Sequence, residues 1–184
     1  GRHHHYIARG DVLDLAVEMV GGDHVAQLDR AVEQDDESAD VVAGDPLRPG
    51  AVYDSNAAII GAAVEELGGV PVHLGVIRDD ETALAGALAR GLESDVVVFS
   101  GGTSKGEGDI SYRVVHALRD PGVVAHGVAL KPGKPICLAV TQRKPVVILP
   151  GFPTSAIFTF HEFVAPVLRA FAGLPGERRP TVTA

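Results

Sequence analysis

The chain has 184 residues, of which 46% are hydrophobic and 22% charged, with a formal net charge of −8. That length suffices for one compact domain with an extra arm, and the negative balance argues against a nucleic-acid surface, which needs a dense basic patch. Aromatic residues make up 5% and Trp is absent, so the core must be built from Val, Leu, Ile and Ala, as suits a parallel sheet buried on both faces.

Gly1-Arg2-His3-His4-His5 has no carboxylate or cysteine close by and reads as a terminal remnant rather than a metal site. Residues 11–20, Asp-Val-Leu-Asp-Leu-Ala-Val-Glu-Met-Val, read as a short amphipathic helix stopped by Gly21-Gly22. The acidic run Glu33, Asp35, Asp36, Glu37 and Asp40 reads as a solvated loop, which sets a boundary near 40. Residues 1–40 are an N-terminal segment without an assignment, followed by a domain over 41–174 and a tail over 175–184.

From Val41 the pattern becomes regular. Asp45-Pro46-Leu47-Arg48-Pro49-Gly50 forms a turn. Asp54 or Ser55 is the natural N-cap of a helix carrying Ile60, Val64 and Leu67, ended by Gly68-Gly69. Val70, Val72, Leu74 and Val76 alternate as a strand, and Asp79-Asp80 caps a helix carrying Leu84, Leu88 and Leu92. Val96-Val97-Val98-Phe99 is a continuous apolar run, the mark of a central buried strand. A helix with Val114, Val115 and Leu118 follows, then a strand near 125–130, a strand over 136–140, a hairpin connection at Thr141-Gln142-Arg143-Lys144 and a return strand over 146–149. A last helix runs from about Ser155 to Ala172, with Thr154 or Ser155 as its cap. The order is βαβαβα with a late hairpin, which predicts an α/β fold, a three-layer α/β/α sandwich on a mostly parallel sheet. The lone Cys137 excludes an internal disulfide, and neither a membrane-length apolar run nor a signal peptide is found, so a cytoplasmic protein is expected.

Three glycine-rich turns stand where strands run out. Ser100-Gly101-Gly102-Thr103-Ser104-Lys105-Gly106-Glu107-Gly108-Asp109 follows the central strand, and its glycines let the backbone approach a ligand closely. It is not a Walker A loop, because Glu107 stands where the lysine belongs. Asp109 is either a helix cap or an acid that holds a divalent cation against phosphate, and Asp79-Asp80 carries the same two readings. In the second turn, Lys131 and Lys134 bracket Pro132-Gly133; they form a solvated surface turn or, opposite the other turns, an anion site. In the third, Leu149-Pro150-Gly151-Phe152-Pro153-Thr154-Ser155, a helix start adds an anion site, and Phe152 either stacks on a planar ring or fills a hydrophobic contact.

Together with Tyr53-Asp54-Ser55-Asn56 and Gly75-Val76-Ile77-Arg78-Asp79-Asp80, these turns resemble, in order, the central domain of the molybdopterin molybdenumtransferases, the MoeA and gephyrin-E family, from about Val42 to Ala172. The resemblance implies insertion of molybdate into adenylylated molybdopterin with Mg²⁺ assisting and AMP released, in a protein that is a homodimer. It implies that Asp79, Asp80 and Asp109 handle metal and the adenylyl phosphate, with Asp80 and Asp109 as metal ligands. Lys131 and Lys134 neutralise oxyanions, and Gly101, Gly102, Thr103, Ser104 and Gly106 cradle the ligand. Pro150, Gly151, Pro153 and Ser155 shape the neighbouring wall, and Ser55 and Asn56 are further ligand-binding residues.

Two departures bear on this. No Thr-Gly-Asp-Glu turn precedes Val41, so the family's first strand is expected to be absent or altered, and Phe152 stands where the family often has Asn. A non-catalytic pterin-binding module and an adenylyltransferase similar to MogA and MoaB are the competing readings. The double-lysine turn and the Leu-Pro-Gly-Phe-Pro turn speak against the adenylyltransferase.

Overall fold

The computed structural model describes residues 13–20, 40–41, 52–77, 80–101 and 110–176. Two apolar runs set the centre of the fold. β5 (Val96–Ser100) is buried at every position and β8 (Lys144–Leu149) at its last four, as expected for parallel strands covered on both faces. They pair in parallel, Val97 with Val146 through Ser100 with Leu149.

Around them lies a six-stranded sheet of order β4-β1-β5-β8-β7-β6, with β1 at Leu13–Val20, β4 at Gly69–Ile77, β6 at Gly122–His126 and β7 at Cys137–Thr141. β4, β1, β5 and β8 run parallel, while β7 is antiparallel to both β8 and β6. The β7–β8 hairpin turns on Gln142 and Arg143, both left-handed at φ 49° and 65°, the geometry that suits the strand twist. A short parallel pair, β2 (Asp40–Val41) and β3 (Val52–Tyr53), stands apart.

β1 overturns the helix expected over residues 11–20. It lies inside the sheet, its residues paired to β4 from Leu13–Gly69 to Val20–Ile77 and to β5 from Leu15–Val96 to Met19–Ser100. The segment carries both periods at once. Leu13 and Val17, or Asp14 and Glu18, sit four apart, whereas Leu13, Leu15, Val17 and Met19 alternate. Strand partners on both sides decide for the second pattern. A strand therefore does precede the acidic run, inside the central sheet.

Side-chain alternation along β5 and β8 feeds two cores. Val96, Val98, Val147 and Leu149 face α1 (Ser55–Glu66) and the C-terminal helix, through Ile60, Val64, Phe160 and Leu168. Val97, Phe99, Val146 and Ile148 face α2 (Glu81–Gly91) and α3 (Ile110–His116), through Leu84, Leu88, Val114 and Val115. The result is the three-layer sandwich read from the sequence. Each large side chain so buried contributes roughly 1.5–3 kcal/mol.

Asp54 caps α1 and Asp80 caps α2, each carboxylate accepting a backbone N–H at 2.8 Å, from Ala57 and Ala83 respectively. The C-terminal helix differs from expectation. α4 runs over Pro153–Thr159, its N-cap is Phe152, and no side chain caps it. Pro153 occupies the first turn, where its missing N–H costs nothing and its fixed φ suits the helix, so the helix starts ahead of Thr154 and Ser155. A π turn over Phe160–Val164 then leads into α5 (Ala165–Phe171), whose first turn contains Pro166, a residue with no N–H to donate. No described helix is long and apolar enough to cross a membrane.

Candidate functional site

Strand direction brings the motifs to one edge of the sheet. β4 ends at Ile77, β5 at Ser100 and β8 at Leu149, all running the same way. β7 runs against them and its first residue, Cys137, pairs with Ile148, so the Lys131–Pro135 turn ahead of it opens onto that same carboxyl edge. This is where open α/β sheets bind ligands.

Asn56, in the first turn of α1, ties the edge together. Its Nδ2 donates to Ser100 Oγ at 2.7 Å and to the Gly151 carbonyl at 2.7 Å. The carbonyl can only accept, so the side-chain amide has a single possible orientation. Asn56 is 1% exposed, and its Oδ1 has no hydrogen-bond partner among the described residues. Beside it, Gly101 N donates to the Leu149 carbonyl at 3.1 Å, carrying the β5–β8 pairing one residue past the strand end. Gly101 is buried at φ 101°, which a side chain would strain.

The lysine turn is folded on its own backbone. Gly127 N donates to Ile136 O at 2.8 Å, Val128 N to Lys134 O at 2.9 Å and Ile136 N to Gly133 O at 3.2 Å. Gly133, buried at φ 107°, abuts Thr159 of α4, and a Cβ there would overlap Thr159 Cγ2. Thr159 Oγ1 in turn donates to the Ser155 carbonyl at 2.7 Å. The second turn is thus docked on the helix that the third turn begins. Lys131 and Lys134 are exposed, Pro150 is buried, Gly151 and Ser155 are half-buried, Pro153 is exposed, and the Phe152 ring is 69% exposed.

The sequence-predicted residues thus divide into groups. Asn56, Gly101 and Gly151 are joined by hydrogen bonds directly or through Ser100 and Leu149. The Lys131 and Lys134 turn meets the Pro153 and Ser155 helix through Gly133 and Thr159. Ser55 is exposed at the start of α1, and Asp80 is exposed with Oδ1 engaged by Ala83 N. Asp79, Gly102, Thr103, Ser104, Gly106 and Asp109 lie outside the described residues.

Two groups had not been assigned to the site. Ser100 closes β5 and accepts the Asn56 bond; its only sequence signal is its place between an apolar run and a glycine pair. Asp54 was legible as a cap but not as a buried acid. Burial pushes its carboxyl above the ordinary value, partly offset by the backbone N–H groups of Ala57 and Asn56 and by nearby His73.

No group of three His, Cys, Asp or Glu that could hold a metal occurs among the described residues. A Mg²⁺ site made of one or two carboxylates and substrate oxygens needs no such group, and the exposed carboxylate of Asp80 fits that chemistry.

Comparison with known proteins identifies the family. The family described as "Probable molybdopterin binding domain" matches residues 39–170. The molybdopterin molybdenumtransferase of Nostoc sp. is 36% identical over 135 residues, covering 70% of this chain and 30% of that protein. Molybdopterin molybdenumtransferase 2 of Mycobacterium tuberculosis is 36% identical over 146 residues, covering 74% and 35%. The chain spans about a third of the length of these curated relatives. The crystal structure of the MoeA molybdopterin biosynthesis protein from Pyrococcus horikoshii superposes with a TM-score of 0.73 at 34% identity, over 90% of this chain and 37% of that one. The tungsten cofactor synthesizing protein MoaB from Pyrococcus furiosus shares the fold, with a TM-score of 0.54 at 17% identity over 88% and 98%. The chain belongs to the molybdopterin-binding domain family and, within it, is similar to the domain found in the molybdopterin molybdenumtransferases.

Proposed function

We propose that this domain binds adenylylated molybdopterin at the carboxyl edge of its sheet and takes part in inserting molybdate into the dithiolene, with release of AMP. The observation that carries the reading is the joining of the segments at one edge: Asn56 links the last residue of β5 to the turn after β8, and Gly133 against Thr159 docks the lysine turn on the helix which that turn begins.

Dithiolate, molybdate and phosphate are all anionic, so bringing them together is opposed by charge. Lys131 and Lys134, exposed on a closed turn, would offset that repulsion and orient the oxyanion. Gly101, Gly102, Thr103, Ser104 and Gly106 would cradle the phosphate with N–H and hydroxyl donors. Ser55, Pro150, Gly151, Pro153 and Ser155 would shape the wall, with Asn56 behind it. Asp79, Asp80 and Asp109 would handle the adenylyl phosphate, and Asp80 and Asp109 would hold Mg²⁺, which when bound neutralises phosphate charge. The protein's part is positioning and charge stabilisation, without a protein nucleophile. A homodimer, which rests on the family resemblance, and a cytoplasmic location, which rests on the lone Cys137 and the lack of a membrane-length apolar run, belong to the same reading.

The test is single-turnover AMP release from adenylylated molybdopterin with Mg²⁺, with and without molybdate, alongside Asp109→Ala. Molybdate-stimulated release that is lost in the variant supports the transferase. Binding without release leaves a pterin-binding module, and adenylyl transfer from ATP would identify the MogA and MoaB type of reaction instead.

A further inference from the structure

We infer that Asn56 is a positioning residue: its buried side-chain amide couples the end of β5 to the turn after β8, so that Gly101 and Gly151 meet one ligand in a fixed relation. The inference rests on the ligand reading above and gives Asn56 a different role from that of a wall contact.

Burial decides against direct contact, because a side chain 1% exposed presents no surface to a molecule in the crevice. Both Nδ2 hydrogens are used, one on Ser100 Oγ and one on the Gly151 carbonyl, partners 44 and 95 residues away in the chain. Its Oδ1 meanwhile has no partner among the described residues. Native interiors rarely leave such an acceptor unpaired, and an apolar residue of similar size would fill the space without it. What the amide adds over such a residue is therefore the pair of donated bonds, and those bonds join the last residue of β5 to the turn after β8.

The anchor is rigid. Asn56 sits in the first turn of α1, which Asp54 caps through Ala57 N. The coupling is also separable from the sheet. β5 and β8 stay paired through their own ladder, so loss of the amide frees Gly101 and Gly151 rather than the strands.

The experiment compares Asn56→Ala, Asn56→Asp and Ser100→Ala with the parent chain. Amide hydrogen exchange is read residue by residue, and affinity is measured for AMP and for adenylylated molybdopterin. In Asn56→Ala, Gly101 N and Ala156 N, which flank the two turns, should exchange about tenfold faster or more, with Val97 and Val147 amides unchanged; affinity should fall about tenfold, the scale of one or two lost hydrogen bonds. Ser100→Ala removes one of the two bonds and should fall between.

Asn56→Asp adds a readout that mere packing would not move. Its ionised form cannot donate, but its neutral form donates once, and burial favours the neutral form as pH is lowered. Its affinity, taken relative to the parent at each pH, should recover on acidification, whereas Asn56→Ala stays weak throughout. Unchanged exchange at Gly101 and Ala156 in folded Asn56→Ala overturns the inference, as does exchange raised uniformly across the sheet or affinity equal to the parent's. If the parent chain binds neither probe, the ligand reading falls, and the exchange arm still decides whether Asn56 couples the turns.

Discussion

Gly133 lies against the γ-methyl of Thr159 with no room for a β-carbon between them, so the lysine turn meets α4 where only a glycine fits. Gly133→Ala should therefore be destabilising twice over, through overlap with Thr159 and through a φ of 107° that L side chains rarely adopt. We expect a loss of about 2–4 kcal/mol in urea unfolding. Thr159→Ser removes the methyl and keeps the hydroxyl that donates to Ser155 O, so the double variant should regain part of the loss. The part not regained measures the backbone cost, roughly 1–2 kcal/mol. Equal stability of Gly133→Ala and the parent would show that the turn is not docked there.

The pair also shows where sequence reading stops. Apolar spacing and an acidic cap were enough to place α1 and α2, because Ile60 and Val64, or Leu84 and Leu88, need only their own helix to be recognised. The apolar run of β5 named the central strand for the same reason. β1 was missed because its segment satisfies helix and strand periods together, and only its neighbours on both sides choose. At α4 a proline in the first turn outranked two hydroxyl residues as the start signal. The glycine turns announced the carboxyl edge, yet the bonds from Asn56 to Ser100 and Gly151 join distant segments, which spacing along the chain does not encode.

Lys144 fastens the β7–β8 hairpin to α2. Its Nζ donates to the Leu92 carbonyl at 2.6 Å, and Leu92 is the C-cap of that helix, where a cation also meets the negative end of the dipole. Lys144→Met keeps the stem and removes the ammonium, and it should cost about 1–2 kcal/mol in urea unfolding. The Arg113–Glu81 pair at 3.1 Å is a useful contrast, since its side chains are 54% and 64% exposed. Solvent screens such a pair, and Arg113→Ala should stay within about 0.5 kcal/mol of the parent. A larger effect at Arg113 than at Lys144 would reverse this ranking.

Asp54 sets a pH dependence of known sign. Its carboxyl is raised above the ordinary 3.8, chiefly by burial, so the folded chain binds that proton more tightly than the unfolded chain does. The associated stability is fully present below 3.8 and is lost as pH rises through the folded value. Asp54→Asn keeps an oxygen to accept from Ala57 N while removing the charge. The variant should match the parent in acid, exceed it at neutral pH and show a flatter stability profile. Asp54→Ala instead loses the cap and should cost about 1 kcal/mol in acid, where Asp54 carries no charge. A parent more stable than Asp54→Asn at neutral pH would mean that the ionised cap outweighs its burial.

Lys131 and Lys134 occupy the same turn as Gly133 and should behave oppositely to it. Both are exposed, while the turn is closed by backbone bonds from Gly127, Val128 and Ile136. Replacing either with Ala removes no buried group, so unfolding free energy should stay within about 0.5 kcal/mol. If the turn faces an oxyanion, each lysine supplies a charge-assisted hydrogen bond, and affinity for adenylylated molybdopterin should fall about tenfold to a hundredfold per lysine. The parent's affinity should also weaken with added salt, and the double variant's much less, because the screened charges are gone. Unchanged affinity in the double variant would return both lysines to an ordinary solvated turn. Lost affinity with unchanged stability would separate the turn's two roles, with Gly133 holding it on α4 and the lysines meeting the anion.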